Sequence, residues 1–285
     1  MNIMTRQQKK TLKMALSYLV IVLIGCLLLF PIAWMISCAF KTNEEIFGSI
    51  ALLPKSFSFQ NFVDGWKSAG SYTYLTYFLN SFALVVPTTV LTIASSALVA
   101  YGFARFEFPF KKQLFALLLA TLMLPNSVVI IPRYVLFNKF GWVDSYMPWW
   151  VPAILACYPF FIYQLIQFMR SIPRDLDESA YIDGCSTFRV FWKILLPLMK
   201  SSLFSAGLFQ FLWTYNDYFN SLIFINSVKK YTVSLALRLS VDAESVVVWG
   251  RVMAMACVAV LPLVLLFFAA QKYFVEGIAT SGLKG

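Results

Sequence analysis

The stretch ESAYIDGCSTFRVFWKILLP, Glu178 to Pro197, is a polar, charged island between long apolar runs. Pro173 precedes it, and Asp175, Asp177 and Glu178 follow in what reads as the first turns of a short helix. Acidic residues there complement the positive end of the helix dipole. Asp183-Gly184 supplies the stop, because glycine tolerates the left-handed conformation that ends helices. Ser186 or Thr187 is the candidate N-cap of a second helix. In that helix Phe188, Phe191, Trp192 and Leu195 recur at i, i+3, i+4 and i+7 and form one apolar face, with Arg189 and Lys193 toward the other. Pro197 marks the passage into the next apolar run. The spacing predicts a short projecting helix, then an amphipathic helix joined to a membrane segment.

The rest of the chain says what surrounds this island. It is 60% hydrophobic and only 13% charged, against roughly 25% charged residues in an ordinary soluble domain. Such a chain lacks the polar residues to cover itself, so lipid is its main solvent. Six apolar runs approach the ~20 residues needed to cross a bilayer: 16–40, 78–104, 113–131, 146–169, 203–225 and 252–274. Backbone groups in lipid must be satisfied internally, so these are expected as helices. The alternating short segments of a membrane barrel are missing. The first run follows Arg6, Lys9, Lys10 and Lys13 but is too long for a signal peptide, and is expected as a retained helix.

Placing the N-terminus in the cytoplasm puts fourteen Lys and Arg in inner segments and nine in outer ones. That is the direction of the positive-inside rule, with both termini and the 178–197 island inside. The basic residues lie in short loops, not on one patch, which argues against nucleic acid. The chain has no histidine, so imidazole ligands and bases are excluded. Its five cysteines form no CxxC pair, and neither a disulfide framework nor a metal site is indicated.

Five runs contain proline: Pro31, Pro87, Pro125, Pro152 with Pro159, and Pro262. Proline kinks helices, though it is also simply commoner in membrane helices. The second run carries Ser81, Ala83, Ser95, Ser96, Ala97, Ala100 and Gly102, which suits close helix packing. Phe57, Phe59, Phe62, Trp66, Tyr72 and Tyr74 crowd the outer loop after the first run, as a docking platform or as interfacial aromatics. Trp142, Trp149 and Trp150 read as interface anchors.

Glu178-x-Ala180, three residues, Gly184, nine residues and Ile194-x-Leu196-Pro197 together resemble the "EAA" loop of ABC-importer permeases, with Ser179 where that family usually has Ala. The resemblance implies that Asp177, Glu178, Ser179, Ala180, Asp183, Gly184, Ile194, Leu196 and Pro197 couple the chain to a separate ATPase. The C-terminal QKYFVEGIATSGLKG is similar to the tail of the second permease of the maltose-transporter class. By that likeness Gly282, Leu283, Lys284 and Gly285 reach between the two ATPases; the alternative is a frayed terminus. Trp213-Thr-Tyr215-Asn216-Asp217-Tyr-Phe219 resembles the same family's Trp-x-x-Asn-Asp-x-Phe motif, with Ser221 where Pro often follows. Asp217 is the clearest intramembrane acid. Trp213, Tyr215, Asn216 and Asp217 are therefore candidates for the substrate path, with a structural polar cluster as the competing reading. Residues 97–109 look like this subfamily too, and Arg105 pairs with Glu107 or a lipid phosphate in this reading.

The chain is thus identified as resembling a carbohydrate ABC-importer permease subunit. The expected fold is all-α: a polytopic, multi-pass protein of a bacterial or archaeal cell membrane with six transmembrane helices, the type I ABC-importer permease fold. Both termini are expected to be cytoplasmic, residues 1–285 to form a single permease domain, residues about 170–200 the cytoplasmic coupling loop, and 275–285 the tail. The implied partners are a second homologous permease, two copies of an ABC ATPase, an extracytoplasmic solute-binding protein and the bilayer. No P-loop GxxxxGK[ST] is present, so the chain is expected to bind no cofactor and to be no enzyme, with ATP and Mg on the partner ATPases. The alternatives are an ABC permease for another small polar solute, such as a glycerol-phosphate compound, or an ion-coupled secondary transporter using Asp217. An intramembrane enzyme is disfavoured by the absence of histidine and of paired acids within the spans.

Overall fold

The computed structural model describes residues 6–67, 71–242 and 247–282. Its helices are α1 (Arg6–Cys38), α2 (Asn43–Gly48), α3 (Gln60–Lys67), α4 (Tyr74–Arg105), α5 (Lys111–Leu122), α6 (Asn126–Lys139), α7 (Met147–Ile154), α8 (Pro159–Ser171), α9 (Asp175–Ile182), α10 (Thr187–Leu198), α11 (Lys200–Tyr215), α12 (Tyr218–Phe224), α13 (Val233–Asp242) and α14 (Trp249–Gly282). There is no β-strand among the described residues.

Four stretches are long enough and apolar enough to cross a membrane: Leu12–Cys38, Tyr74–Arg105, Met147–Ser171 and Trp249–Gln271. The expected third span is broken, Lys111–Leu122 and Asn126–Lys139 meeting at 104°, and ahead of the expected fifth span Thr187–Leu198 and Lys200–Tyr215 meet at 77°. Pro125 explains the first break. It is extended (φ −68°, ψ 139°), has no amide hydrogen, and disfavours helix at the residue before it. The 12 residues of α5 rise about 18 Å, short of the ~30 Å hydrocarbon core. The run 203–225 also stops early, because Asn216 caps α11 and Asp217 opens α12. Proline alone does not decide where helices break: Pro31, Pro87 and Pro262 lie inside continuous helices.

The α4 helix is the axis of the bundle and packs on α7, α8 and α11. Of the small residues expected to pack, Ser96, Ala97 and Ala100 are buried, as is Ser81, whose Oγ accepts from Val233 N–H at the start of α13, whereas Ala83 is exposed. Between α7 and α8 the backbone unwinds, with Ala156 at φ 55°. The freed groups find partners: Ser95 Oγ donates to the Ala153 carbonyl at 2.6 Å, and Cys157 N–H donates to the Pro152 carbonyl at 2.8 Å. By contrast α1 packs mainly on α14, and none of its residues 12–36 is buried. That suits lipid as its neighbour.

At the end of the bundle away from residues 170–200, two loops are pinned by Asp144. Its carboxylate accepts from Asn226 N–H at 3.0 Å, Ser227 N–H at 2.8 Å, Ser227 Oγ at 2.6 Å and Lys230 Nζ at 3.0 Å. Burial opposes the charge, but the Ser227, Lys230 and Asn226 hydrogen bonds prevail and hold this carboxyl well below the ordinary carboxylate range. Trp149, expected at an interface, is instead buried between Phe224 and Asp217. Phe57 and Phe59 stand exposed around Phe40, while Phe62 and Trp66 pack into the core.

Two outcomes follow from this packing. A Cβ on buried Gly250 would stand 2.5 Å from the Lys41 carbonyl and on the Asn61 side chain, whose Nδ2 bonds the Ala39 and Lys41 carbonyls. Gly250→Ala should therefore lower stability by about 1–3 kcal/mol, read by thermal unfolding in detergent, while Gly25→Ala, with nothing within 4 Å, should not. For Asp144 the depressed value means that the staple stabilises above the unfolded pKa of about 3.9 and fails only as pH falls through the lower folded value. The Asp144→Asn penalty should accordingly be full at neutral pH and still present near pH 4.

Candidate functional site: a clamped elbow and a polar break

The elbow formed by α9 and α10 follows the local chemistry of its sequence. The α9 helix ends at Gly184, which takes φ 77° while Gly184 N–H donates to the Tyr181 carbonyl at 3.0 Å and Cys185 N–H to the Ala180 carbonyl at 2.9 Å. Ser186 caps α10, its Oγ accepting from Arg189 N–H at 3.4 Å. Residues Phe191–Leu195 widen into a π-turn, so that Leu196 N–H reaches back to the Phe191 carbonyl. Pro197 gives the reason, since it cannot donate to the carbonyl four residues earlier and its ring crowds it. The chain then turns by 77° into α11.

The predicted coupling residues divide by environment. Asp177 points inward at 7% exposure, and Arg105 Nε meets its Oδ2 at 2.6 Å. Burial pushes the Asp177 carboxyl up, against the pull of Arg105 and Arg174; the 2.6 Å contact is that of a charged pair. Arg105 thus does not pair with Glu107, which is held by Lys111 at 2.8 Å. Ala180 packs into the core with Val190, Phe191 and Leu195. Ser179 Oγ, at the position where the family usually has Ala, bonds back to the Asp175 carbonyl at 2.8 Å. Glu178, Ser179, Asp183 and Gly184 are exposed. Ile194 and Leu196 are half-buried against the core, and with exposed Pro197 they belong to the bend rather than to the projecting surface.

The expected apolar face of α10 is split. Phe191 and Leu195 are buried, but Phe188 is 66% and Trp192 52% exposed, because α4 and α8 cover only the first pair. Sequence reading overlooked Leu176, Tyr181 and Ile182, which stand exposed on α9, Ile182 at 86%. It also overlooked the clamp. Arg105 donates to the Ile172 carbonyl at 3.1 Å, Arg174 to the Ala104 carbonyl at 3.3 Å, and Tyr101 Oη to the Thr187 carbonyl at 3.0 Å while stacking on Phe191 at 5.0 Å. The available signal was the aromatic-basic end of α4, Tyr101 and Arg105, one helical turn apart.

The second predicted group, 213–217, does not converge on one point. Trp213 packs on Phe160 and Phe161, Tyr215 Oη donates to the Ala259 carbonyl at 2.9 Å, and Asn216 bonds back to the Leu212 carbonyl. Asp217 alone enters a network. Its Oδ1 accepts from Asn220 N–H at 3.1 Å, and its Oδ2 accepts from Trp149 Nε1 at 3.1 Å. Arg133 donates to Asn220 Oδ1. Arg133, Trp149 and Asn220 were not recognised from sequence as parts of this group. Their signal lies in pairing across three helices, which linear spacing does not carry. Of the tail, Gly282 closes α14, while Leu283, Lys284 and Gly285 lie outside the described residues.

Residues 92–280, which contain the elbow and the polar break, match the family described as binding-protein-dependent transport system inner membrane component. The chain belongs to this permease family. The permease is 35% identical over 90% of its length to a probable ABC transporter permease of Bacillus subtilis, YurM, covering 84% of that protein. It is 30% identical over 98% of its length to the trehalose/maltose transport system permease MalG of Thermococcus litoralis, covering 99% of that chain. It is also 30% identical to the arabinooligosaccharides transport system permease AraQ of B. subtilis, over 92% of its own length and 93% of that one. Its fold is that of a chain in the crystal structure of a bacterial ABC transporter involved in the import of the acidic polysaccharide alginate, with a TM-score of 0.82 at 17% identity, covering 96% of this permease and all of that chain.

The clamp predicts a non-additive pair. Arg105→Leu strands a buried carboxylate and should cost about 3–5 kcal/mol, whereas adding Asp177→Leu should recover most of it. Thermal melts of the four proteins of the cycle measure the coupling; additive losses would show that the pair does not act as a unit.

Proposed function

We propose that this permease forms one half of the membrane pathway of an importer that carries a sugar or oligosaccharide into the cell, driven by ATP hydrolysis on separate subunits. The cargo class rests on the sugar-transport names of several relatives that match the permease nearly end to end. Its partners are a second homologous permease, two copies of a cytoplasmic ATPase that hold ATP and Mg, and an extracytoplasmic solute-binding protein. Both termini and the elbow face the cytoplasm, following the excess of Lys and Arg on that side. The tail residues Gly282, Leu283, Lys284 and Gly285 extend toward the ATPases. Trp213, Tyr215, Asn216 and Asp217 mark the region of the substrate path; only Asp217 among them belongs to the half-buried polar group with Trp149 and Asn220.

One observation carries the coupling role. Leu176, Tyr181, Ile182 and Phe188 are exposed apolar side chains about the turn between the two elbow helices, and such a patch marks a protein contact. Glu178, Asp183 and Gly184 rim it. The elbow is tied to α4 by the Arg105–Asp177 pair and Tyr101, and continues through the π-turn into α11. A push on its tip is thereby delivered to two helices that pack on each other at the centre of the bundle. In this scheme closure of the ATPases rocks the helices from inward- to outward-facing, and hydrolysis resets them.

Burying one isoleucine contributes about 1.5–3 kcal/mol, roughly a tenfold to hundredfold change in affinity. Ile182→Asp should therefore reduce co-purification of the ATPase by at least about tenfold and abolish uptake, with membrane insertion and melting temperature unchanged. An Ile182→Asp permease that retains its ATPase and transports normally refutes the assignment.

A further inference from the structure

The end of α4 that carries the clamp also borders a polar cavity of about 450 Å³, bounded by Arg105, Glu107, Lys111, Arg170, Arg174 and residues 171–173. Four of the five charged side chains are cationic. Two of the charges are matched: Lys111 by Glu107 at 2.8 Å, and Arg105 by Asp177 at 2.6 Å. Arg170 and Arg174 have no carboxylate within 4.0 Å among the described residues. Arg170 lies over the Phe115 ring at 5.0 Å, and Arg174 donates to the Ala104 carbonyl while feeling Asp177 and Glu107 only from beyond ion-pair distance.

The backbone adds to the imbalance. The α5 helix starts at this cavity with Lys111 and Lys112 and has no acidic residue in its first turn. Two cations sit where the helix dipole is already positive, an arrangement that favours a nearby anion. The cavity also lies where α4 and α8 end, Arg105 and Ser171 being their last residues. In a membrane-spanning bundle that is headgroup depth, where basic pockets between helices take anionic groups.

We propose that this cavity binds a phosphate group, held between Arg170, Arg174 and Lys111, and that its occupancy ties α5 and α8 to the elbow and raises the efficiency of coupling. The phosphate belongs to an anionic lipid headgroup or to free inorganic phosphate; the chemistry of recognition is shared. Guanidinium groups present forked donors that match phosphate oxygens. The consequence for coupling rests on the importer reading above, whereas anion binding itself does not.

The test uses the assembled transporter in nanodiscs of phosphatidylcholine alone or with phosphatidylglycerol added. Retained phosphatidylglycerol is counted by native mass spectrometry, and solute taken up per ATP hydrolysed is measured in matching vesicles. Wild type should retain the anionic lipid and couple more efficiently with it. Arg170→Gln, which removes one charge-assisted contact, should hold it about tenfold more weakly. Because Arg170 also packs on Phe115, Phe115→Leu serves as the companion: it removes the ring, keeps the charge, and should keep the anion. Inorganic phosphate titrated into phosphatidylcholine vesicles separates the sources. An Arg170-dependent gain in coupling there identifies free phosphate, and a gain confined to phosphatidylglycerol identifies the headgroup. Retention that is the same in wild type and Arg170→Gln with no Arg170-dependent response to inorganic phosphate, or an anion effect lost equally in Phe115→Leu, overturns the site. A wild-type assembly that hydrolyses ATP without uptake in every lipid would instead fault the importer reading, with the mass measurement still deciding the anion.

Discussion

The buried ion pair between Arg105 and Asp177 is the contact on which the geometry of the elbow depends. Two opposite charges removed from water stabilise a fold only when each is well placed and its remaining hydrogen-bonding capacity is used. Arg105 also donates to the Ile172 carbonyl, so one guanidinium fixes both the start of the elbow and its first helix, while the buried Asp177 Oδ1 is left without a hydrogen-bond partner. Tyr101, one turn earlier on α4, fixes the second helix through the Thr187 carbonyl and the Phe191 ring. The elbow is therefore an extension of α4 rather than a loose connection between α8 and α11. The proposed coupling role requires that kind of rigid attachment.

A second constraint shapes the rest: apolar surroundings leave no water to satisfy a broken helix. Each interruption in the bundle is accordingly paired with a polar side chain or a local turn. Ser95 takes the Ala153 carbonyl at the α7–α8 break, Asp217 caps α12 where α11 stops, and the π-turn before Pro197 reconnects Leu196 to Phe191. At these points the polar groups sit where the backbone is broken because the freed carbonyls and amides need partners. The same logic gathers Arg133, Asn220, Asp217 and Trp149 into one network instead of leaving isolated charges in separate helices.

Much of this was legible in the linear chain. Gly184 as the stop of α9 and Ser186 as the cap of α10 follow from local backbone chemistry, and both stand where the residues alone place them. The apolar runs announce helices, and the small residues of α4 announce a packed axis. The breaks were less legible, since Pro125 and Pro31 look alike in sequence although only Pro125 interrupts its helix. A proline is accommodated or not according to what neighbouring elements offer the freed carbonyl, and that depends on tertiary packing.

Sequence by itself determined that this chain is a helical membrane protein with one polar elbow, because composition, apolar run length and cap residues act locally and need no partner. Only the tertiary structure decided which side chains of the elbow are anchors and which face outward. Asp177 and Glu178 are adjacent acids in one helix, yet one is buried on Arg105 and the other faces outward. Phe188 and Phe191 share a helical face, yet only Phe191 lies beneath Tyr101. The difference is made by α4, which comes from more than seventy residues earlier in the chain, and no local pattern records where its end will lie.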